Sequence, residues 1–157
     1  MVTLELKIPP PIVAASTALA MWAASKVFGL NDLFVNVPPD WRNIAALVIA
    51  LTGAGFDLTG IVGFIRARTT VNPMKPERSA ALVTSGVYRI TRNPMYVGMA
   101  LLLLAWAVVL GSGTALLGPL AFGLYITRFQ IQPEERVLSA RFGGEFAGYC
   151  ARVRRWL

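Results

Sequence analysis

Residues 86–98 read Gly-Val-Tyr-Arg-Ile-Thr-Arg-Asn-Pro-Met-Tyr-Val-Gly, and within this stretch a polar loop turns into a strongly apolar segment. Pro94 suits the first turn of a helix, because the N–H group that it lacks would have no partner there. Asn93, directly before it, can cap the free N–H groups of that turn. The stretch therefore predicts a helix that begins at Pro94.

The predicted helix start carries two arginines and two tyrosines. The N-terminus of a helix has a partial positive charge, and Arg89 and Arg92 lie on its loop side. Together they predict a corner that receives anions. Tyr88 and Tyr96 flank this corner with aromatic rings.

The composition indicates an integral membrane protein. The chain has 157 residues, of which 55% are hydrophobic, and the mean hydropathy is +0.58. Its net charge of +7 falls between apolar runs rather than along a basic face interleaved with aromatics, which argues against nucleic acid as a partner. With no histidine and the single cysteine Cys150, the sequence excludes an internal disulfide, His-based catalysis and Cys- or His-rich metal sites; we expect no metal.

The apolar residues fall into four runs of helical length. These runs are residues 12–30, 44–65, 95–110 and 114–131. The first is interpreted as a membrane span rather than a cleaved signal peptide, because the residues before it are not basic. The last two flank the turn Gly111-Ser112-Gly113 and form a predicted hairpin, whose 16-residue first arm reaches only about 24 Å across a hydrocarbon core of about 30 Å.

These runs predict an all-α, polytopic membrane protein with about four transmembrane helices and a short C-terminal hairpin. After Pro133 the chain becomes polar, which predicts an interfacial helix, with Trp156 at the membrane surface. We expect one membrane domain over residues 1–157, with a two-helix scaffold in residues 1–66 and the catalytic, cofactor-binding part in residues 67–157.

Two features of the middle of the chain stay open. Asp57 lies inside the glycine-rich second run, either as a carboxylate satisfied by its neighbours or as a ligand or base in a polar cavity. Residues 79–84, in the polar connection after that run, suit a short helix or a strand equally well.

The charges predict an orientation. With four spans, both chain ends and the polar connection share one side, which collects every Lys and Arg except Lys26 and Arg42. By the positive-inside rule that side is cytoplasmic, which predicts a prokaryotic inner-membrane protein with its active site facing the cytosol. The hairpin would then bring the Arg92 corner and the pair Glu134-Glu135 to the same face.

This combination of side chains suits a ligand that is both zwitterionic and cationic. Guanidinium groups attract a carboxylate, glutamates attract an ammonium group, and aromatic rings attract a sulfonium. S-adenosylmethionine carries all three groups. Nucleotide phosphates also suit the arginines, although the two glutamates would repel them.

The ordered motifs resemble a known family. They are Gly86-Val87-Tyr88-Arg89, Arg92-Asn93-Pro94-Met95-Tyr96 with Gly98, Glu134-Glu135 with Leu138, Phe142-Gly143, Tyr149 and Val153-Arg154-Arg155-Trp156. From residue 73 onward the chain closely resembles the membrane methyltransferases of isoprenylcysteine carboxyl methyltransferase and phospholipid (phosphatidylethanolamine) N-methyltransferase type. The resemblance implies a small helical membrane bundle that binds S-adenosylmethionine at its cytoplasmic face.

The resemblance also implies roles for particular residues. Arg92, Glu135 and Glu134 are the implied catalytic residues. The implied cofactor-binding residues are Tyr88, Arg89, Arg92, Asn93, Pro94, Tyr96, Glu135 and Tyr149. Asn93 stands where the isoprenylcysteine enzymes carry histidine, which favours the bacterial, lipid-type branch.

The implied function is S-adenosylmethionine-dependent methyl transfer to a lipid or other lipophilic acceptor, either a carboxylate or an amine. Two alternatives stay open. One is an NADPH-dependent membrane reductase of the sterol-reductase type, whose phosphorylated dinucleotide the glutamates would disfavour. The other is a non-enzymatic, lipid-binding membrane scaffold.

Overall fold

The computed structural model describes residues 5–28, 37–68 and 81–157, and the regular structure in these ranges is helical. The α-helices are α1 (Pro10–Phe28), α2 (Pro39–Arg66), α3 (Pro94–Leu110), α4 (Leu117–Ile126) and α5 (Gln132–Arg152). One isolated β-bridge joins Thr91 and Arg154. The all-α prediction is confirmed. Of residues 79–84, the structure describes residues 81–84, and these form neither a helix nor a strand.

In the described part of the chain, two helices are long and apolar enough to cross a membrane. They are α1, with 19 residues, and α2, with 28 residues. In α3 the 17 residues rise about 25 Å, and the 10 residues of α4 rise about 15 Å, both short of a hydrocarbon core of about 30 Å. Helix length therefore supports two spans and leaves the predicted four unconfirmed.

Close contact between α2 and α3 depends on glycines. A Cβ atom on Gly53 would lie 2.8 Å from the carbonyl oxygen of Gly98, and one on Gly60 would lie 2.9 Å from the side chain of Met95. Gly55, by contrast, has open space around it. Gly53 and Gly60 therefore allow the two helices to pack closely, and these contacts place the start of α3 beside the end of α2.

The main core lies where α1, α3 and α4 meet. Its fully buried members include Phe122, Ile126 and Ile131. A Cβ atom on Gly118 would collide with the sulfur of Met21. The glycine therefore allows α1 to pack directly against α4. The predicted turn after α3 is present, and Gly111 adopts a left-handed conformation with a φ of 67°.

The fourth apolar run continues without a break into the polar C-terminal helix. A five-residue π turn, Thr127–Ile131, follows α4 and leads directly into α5. Pro133 lies in the first turn of α5, where proline is tolerated. The described break within α5 comes later, at Gly143, whose φ is 49° and ψ is −120°.

The described N-terminal residues lie against the start of α5. The carboxylate of Glu5 forms ion pairs with Arg128 at 2.7 Å and with Arg136 at 2.5 Å. The N–H group of Leu6 also donates to the carbonyl oxygen of Phe129 at 3.0 Å. These contacts place the beginning of α1 and the beginning of α5 at the same end of the bundle.

Candidate active site

Residues before α3 are fixed by the C-terminal tail. The backbone N–H of Arg92 donates to the carbonyl oxygen of Arg154 at 3.0 Å. The carbonyl oxygen of Arg155 accepts from the Thr91 hydroxyl at 3.2 Å and from the Asn93 side-chain amide at 2.9 Å. Thr91 is fully buried, so these bonds fix the direction from which Arg92 enters the site.

Asn93 does not cap α3 with its side chain, so that prediction was wrong. Its amide is already committed to Arg155, and the side chain makes no capping hydrogen bond. The backbone carbonyl of Asn93 instead accepts from the N–H groups of Tyr96 and Val97, each at 3.0 Å. The helix itself begins at Pro94, as predicted.

Glu135 lies between two arginines. Its Oε1 atom is 3.2 Å from Nη2 of Arg92 and 3.1 Å from Nε of Arg155, and its Oε2 atom is 2.6 Å from Nη2 of Arg155. The side chains of Arg92 and Glu135 are only 14% and 18% exposed, which strengthens the attraction. The hydrogen bond to Glu135 raises the pKa of Arg155. Both carboxylate oxygens of Glu135 are therefore occupied.

Arg92 has further contacts at the same place. One of its terminal nitrogens donates to the thiol sulfur of Cys150. Its Nε atom is buried and makes no hydrogen bond in the described structure. The guanidinium is thus oriented on two sides by Glu135 and Cys150 and retains an unused donor.

Glu134 is held differently from Glu135. Its Oε1 atom accepts two hydrogen bonds, from the Tyr96 hydroxyl at 2.7 Å and from the Gln130 side-chain amide at 2.8 Å. Its Oε2 atom makes no hydrogen bond or ion pair within the described part of the chain. Burial raises the pKa of Glu134 to about 7, the two hydrogen bonds oppose that increase, and the neighbouring Glu135 adds to it.

Tyr88 and Tyr149 connect neighbouring elements through hydrogen bonds. The Tyr149 hydroxyl donates to the Tyr88 carbonyl oxygen at 2.7 Å, and the Tyr88 hydroxyl donates to the Gly60 carbonyl oxygen at 3.3 Å. Both side chains are buried, and burial raises the pKa of each phenol. They join the 3-10 helix Gly86–Arg89 to α5 and α2, so their hydroxyls are already engaged.

The structure brings together most of the expected site residues. Those that meet at the start of α3 are Arg92, Asn93, Pro94, Tyr96, Glu134 and Glu135. Arg89 is different: its side chain is exposed and forms no ion pair in the described structure. Its predicted place in the anion-receiving corner is therefore not supported by a contact.

Three residues that contact the site were not predicted from the sequence: Arg155, Gln130 and Cys150. Arg155 belongs to the motif Val153-Arg154-Arg155-Trp156 and had no predicted role in the site, whereas in the structure it pairs with Glu135. Gln130 precedes Glu134 by one helical turn, a spacing that signals contact, whereas the sequence carries no local signal for Cys150. Trp156, expected at the membrane surface, is partly buried: it donates to the Thr127 hydroxyl at 3.1 Å and packs against the main core. Its position relative to the membrane stays a prediction.

Asp57 lies outside this group. A Cβ atom on Gly98 would collide with the Asp57 carboxylate, so the acid faces the α2 side of α3. Tyr96, which holds Glu134, is two positions away and therefore on nearly the opposite face of the same helix. Helix α3 thus separates Asp57 from Glu134.

The apolar helices and the partly buried charged cluster define a class: a helical membrane protein with a polar site at one end of its bundle. Residues 41–145 match the model of a protein family described as phospholipid methyltransferase. This match spans more than half of the chain and includes Arg92, Glu134 and Glu135. The chain belongs to the phospholipid methyltransferase family.

Individual relatives agree with this assignment. The chain is 32% identical to protein-S-isoprenylcysteine O-methyltransferase B of Arabidopsis thaliana over 119 residues, which cover 72% of the chain and 57% of the relative. It is 35% identical to a probable protein-S-isoprenylcysteine O-methyltransferase of Oryza sativa subsp. indica over 132 residues, 80% of the chain and 66% of the relative. The chain therefore spans less than two thirds of either plant protein.

A bacterial relative is shorter. An uncharacterized protein of Haemophilus influenzae is 48% identical over 63 residues, which cover 40% of the chain and all of the relative. No solved structure matches the chain.

Proposed function

We propose that this protein is an S-adenosylmethionine-dependent integral-membrane methyltransferase that acts on a lipid-like or membrane-partitioned acceptor. The observation that carries the proposal is the ion cluster of Arg92, Glu135 and Arg155, with Glu134 beside it, at the start of α3. Family membership and the methyltransferase names of the plant relatives support the reaction class.

The side chains present fit S-adenosylmethionine. Among the described residues, the Nε donor of Arg92 has no hydrogen-bond partner and suits a carboxylate. The Oε2 atom of Glu134 likewise has no partner there and suits an ammonium group. The partial positive charge at the start of α3 adds to the attraction for a carboxylate. When bound, S-adenosylmethionine supplies an activated methyl group on its sulfonium.

The chain's own residues would position the reactants. Glu135 holds the guanidinium groups of Arg92 and Arg155 in fixed directions, so binding need not order these long side chains. The tail contacts to Thr91 and Asn93 keep the start of α3 in register with this cluster. Tyr88 and Tyr149 tie the adjoining elements together.

A carboxylate acceptor and an amine acceptor both suit this site. A carboxylate acceptor needs no base. An amine acceptor must first lose a proton before it can attack the methyl group. The plant relatives are named as O-methyltransferases and the family as phospholipid methyltransferase.

Calorimetric titration of the detergent-purified protein with S-adenosylmethionine, S-adenosylhomocysteine and NADPH tests the proposal. We expect the first two to bind saturably, with binding lost in Arg92→Ala and in Glu135→Gln. Arg154→Ala is the matched control, because this arginine is exposed and contributes a backbone contact that alanine retains.

Transfer of a labelled methyl group into a membrane lipid extract should follow the same pattern among the variants. Binding of NADPH alone would support a reductase. Binding of none of the three compounds would support a lipid-binding scaffold.

A further inference from the structure

Gln130 occupies a buried position beside the site. It lies in the π turn Thr127–Ile131 and is only 2% exposed. Its amide donates to Oε1 of Glu134 at 2.8 Å, and the Tyr96 hydroxyl donates to the same oxygen at 2.7 Å. Both donors therefore converge on one of the two carboxylate oxygens.

The two adjacent glutamates are consequently unequal. Glu135 has both oxygens paired with arginine, whereas Glu134 has one oxygen engaged by neutral donors and the other without a partner in the described structure. Of this pair, only Glu134 presents an open carboxylate oxygen to a ligand.

We propose that Gln130 is a positioning residue: with Tyr96 it fixes Oε1 of Glu134, so that Oε2 is presented to a cationic group of the cofactor. The inference rests on the proposed function for the identity of that ligand. The fixed orientation of the carboxylate, however, is a property of the cofactor-free protein and can be tested there.

The charges around Glu134 predict how Gln130 affects its titration. Burial and the negative charge of Glu135 raise the pKa of Glu134, and the hydrogen bonds from Tyr96 and Gln130 lower it. Tyr88 also interacts with this carboxylate, because the negative charge of Glu134 contributes to the raised pKa of Tyr88. Removing the Gln130 donor should therefore raise the pKa of Glu134 further.

The sign of the effect on binding follows directly. A cation binds the ionised carboxylate, so its affinity falls as pH falls through the pKa of Glu134. In Gln130→Met, which keeps the side-chain length but lacks the donor, the midpoint of this fall should move upward by about one pH unit, the size expected for one hydrogen bond to a charged group. At pH 7 the affinity would then fall about fivefold.

Binding of S-adenosylhomocysteine is measured by calorimetry from about pH 5.5 to 9, a range that extends roughly two units about the expected midpoint. The unmodified protein is compared with Gln130→Met and Gln132→Met. Gln132 is exposed and only two positions away, which makes it the matched control. Gln130→Asn, whose shorter amide does not reach Glu134, should shift the midpoint in the same direction and serves if the methionine variant fails to fold.

A parallel infrared titration of the cofactor-free protein follows the carbonyl band of the protonated Glu134 carboxyl, assigned by its loss in Glu134→Gln. An upward shift in the Gln130 variants, with Gln132→Met unchanged, supports the inference. Folded Gln130 variants with an unchanged titration would overturn it. If the unmodified protein does not bind the cofactor, the proposed function fails, while the infrared titration still decides the role of Gln130.

Discussion

Asp57 has a buried Oδ1 atom that makes no hydrogen bond in the described structure. Because α3 lies between it and Glu134, we predict that Asp57→Asn preserves methyl transfer. Removing an unsatisfied charge should stabilise the protein by about 1 kcal/mol and raise its Tm by about 2–4 °C. Thermal unfolding in detergent and a methyl-transfer assay measure both effects, with the exposed Asp40→Asn as control. A folded but inactive Asp57→Asn protein would place Asp57 in the site after all.

Arg155 and Arg154 are adjacent arginines with different roles. Arg155→Ala removes the partner that is 2.6 Å from Glu135, whereas Arg154→Ala removes an exposed side chain and retains its carbonyl contact. We expect Arg155→Ala to destabilise the protein by about 1–2 kcal/mol, less than for a fully buried pair because solvent screens it. Arg154→Ala should change stability by less than about 0.5 kcal/mol. Equal unfolding temperatures for the two variants would contradict the importance of the Arg155 pair.

At the scale of the helices, the contact between α2 and α3 gives a matched pair of glycines. A Cβ atom on Gly53 would meet the backbone oxygen of Gly98 at 2.8 Å, whereas one on Gly55 would meet nothing within 4 Å. We predict that Gly53→Ala destabilises the protein by about 1–3 kcal/mol. Gly55→Ala should be neutral or stabilise it by up to about 1 kcal/mol, because alanine favours the helix. Thermal unfolding of both variants checks this, and an equal loss in both would argue against the close helix contact.

The sequence predicted those helix boundaries that depend on local chemistry. Pro94 and Gly111 mark the two ends of α3 because proline suits a first turn and glycine adopts the left-handed conformation after a last turn. The sequence did not predict that the π turn before Pro133 joins α4 to α5 without a break. Whether a proline ends a helix depends on the hydrogen bonds of the preceding turn, which residue types do not specify.

The sequence predicted which charged residues meet in the site, but not every partner of each. The hairpin argument correctly brought Arg92 near Glu134 and Glu135, because two elements joined by a tight turn must end at the same level. The partner of Glu135 was not predictable in the same way. Arg155 and Arg154 are identical in type, and only the direction of the tail, set by backbone contacts to Thr91 and Arg92, decides which one enters the site.

At the scale of the whole molecule, the number of spans and their orientation are still predictions. We expect four spans, with the bilayer thinned around the short α3 and α4, and with the site facing the cytosol. Three exposed positions test this: Asp40 before the second span, Leu116 at the hairpin tip and Arg154 in the tail. Each is changed to cysteine in a Cys150→Ser background and treated, in intact bacterial cells, with a membrane-impermeant maleimide.

Four spans predict labelling of Asp40→Cys and Leu116→Cys from outside the cell, and labelling of Arg154→Cys only after the membrane is permeabilised. The contacts of Glu5 with Arg128 and Arg136 already require the N-terminal residues to lie at the same end as the start of α5. The decisive position is therefore Leu116. If only a membrane-permeant reagent reaches it while Asp40→Cys is labelled from outside, α3 and α4 form a re-entrant hairpin, and α1 and α2 alone cross the bilayer.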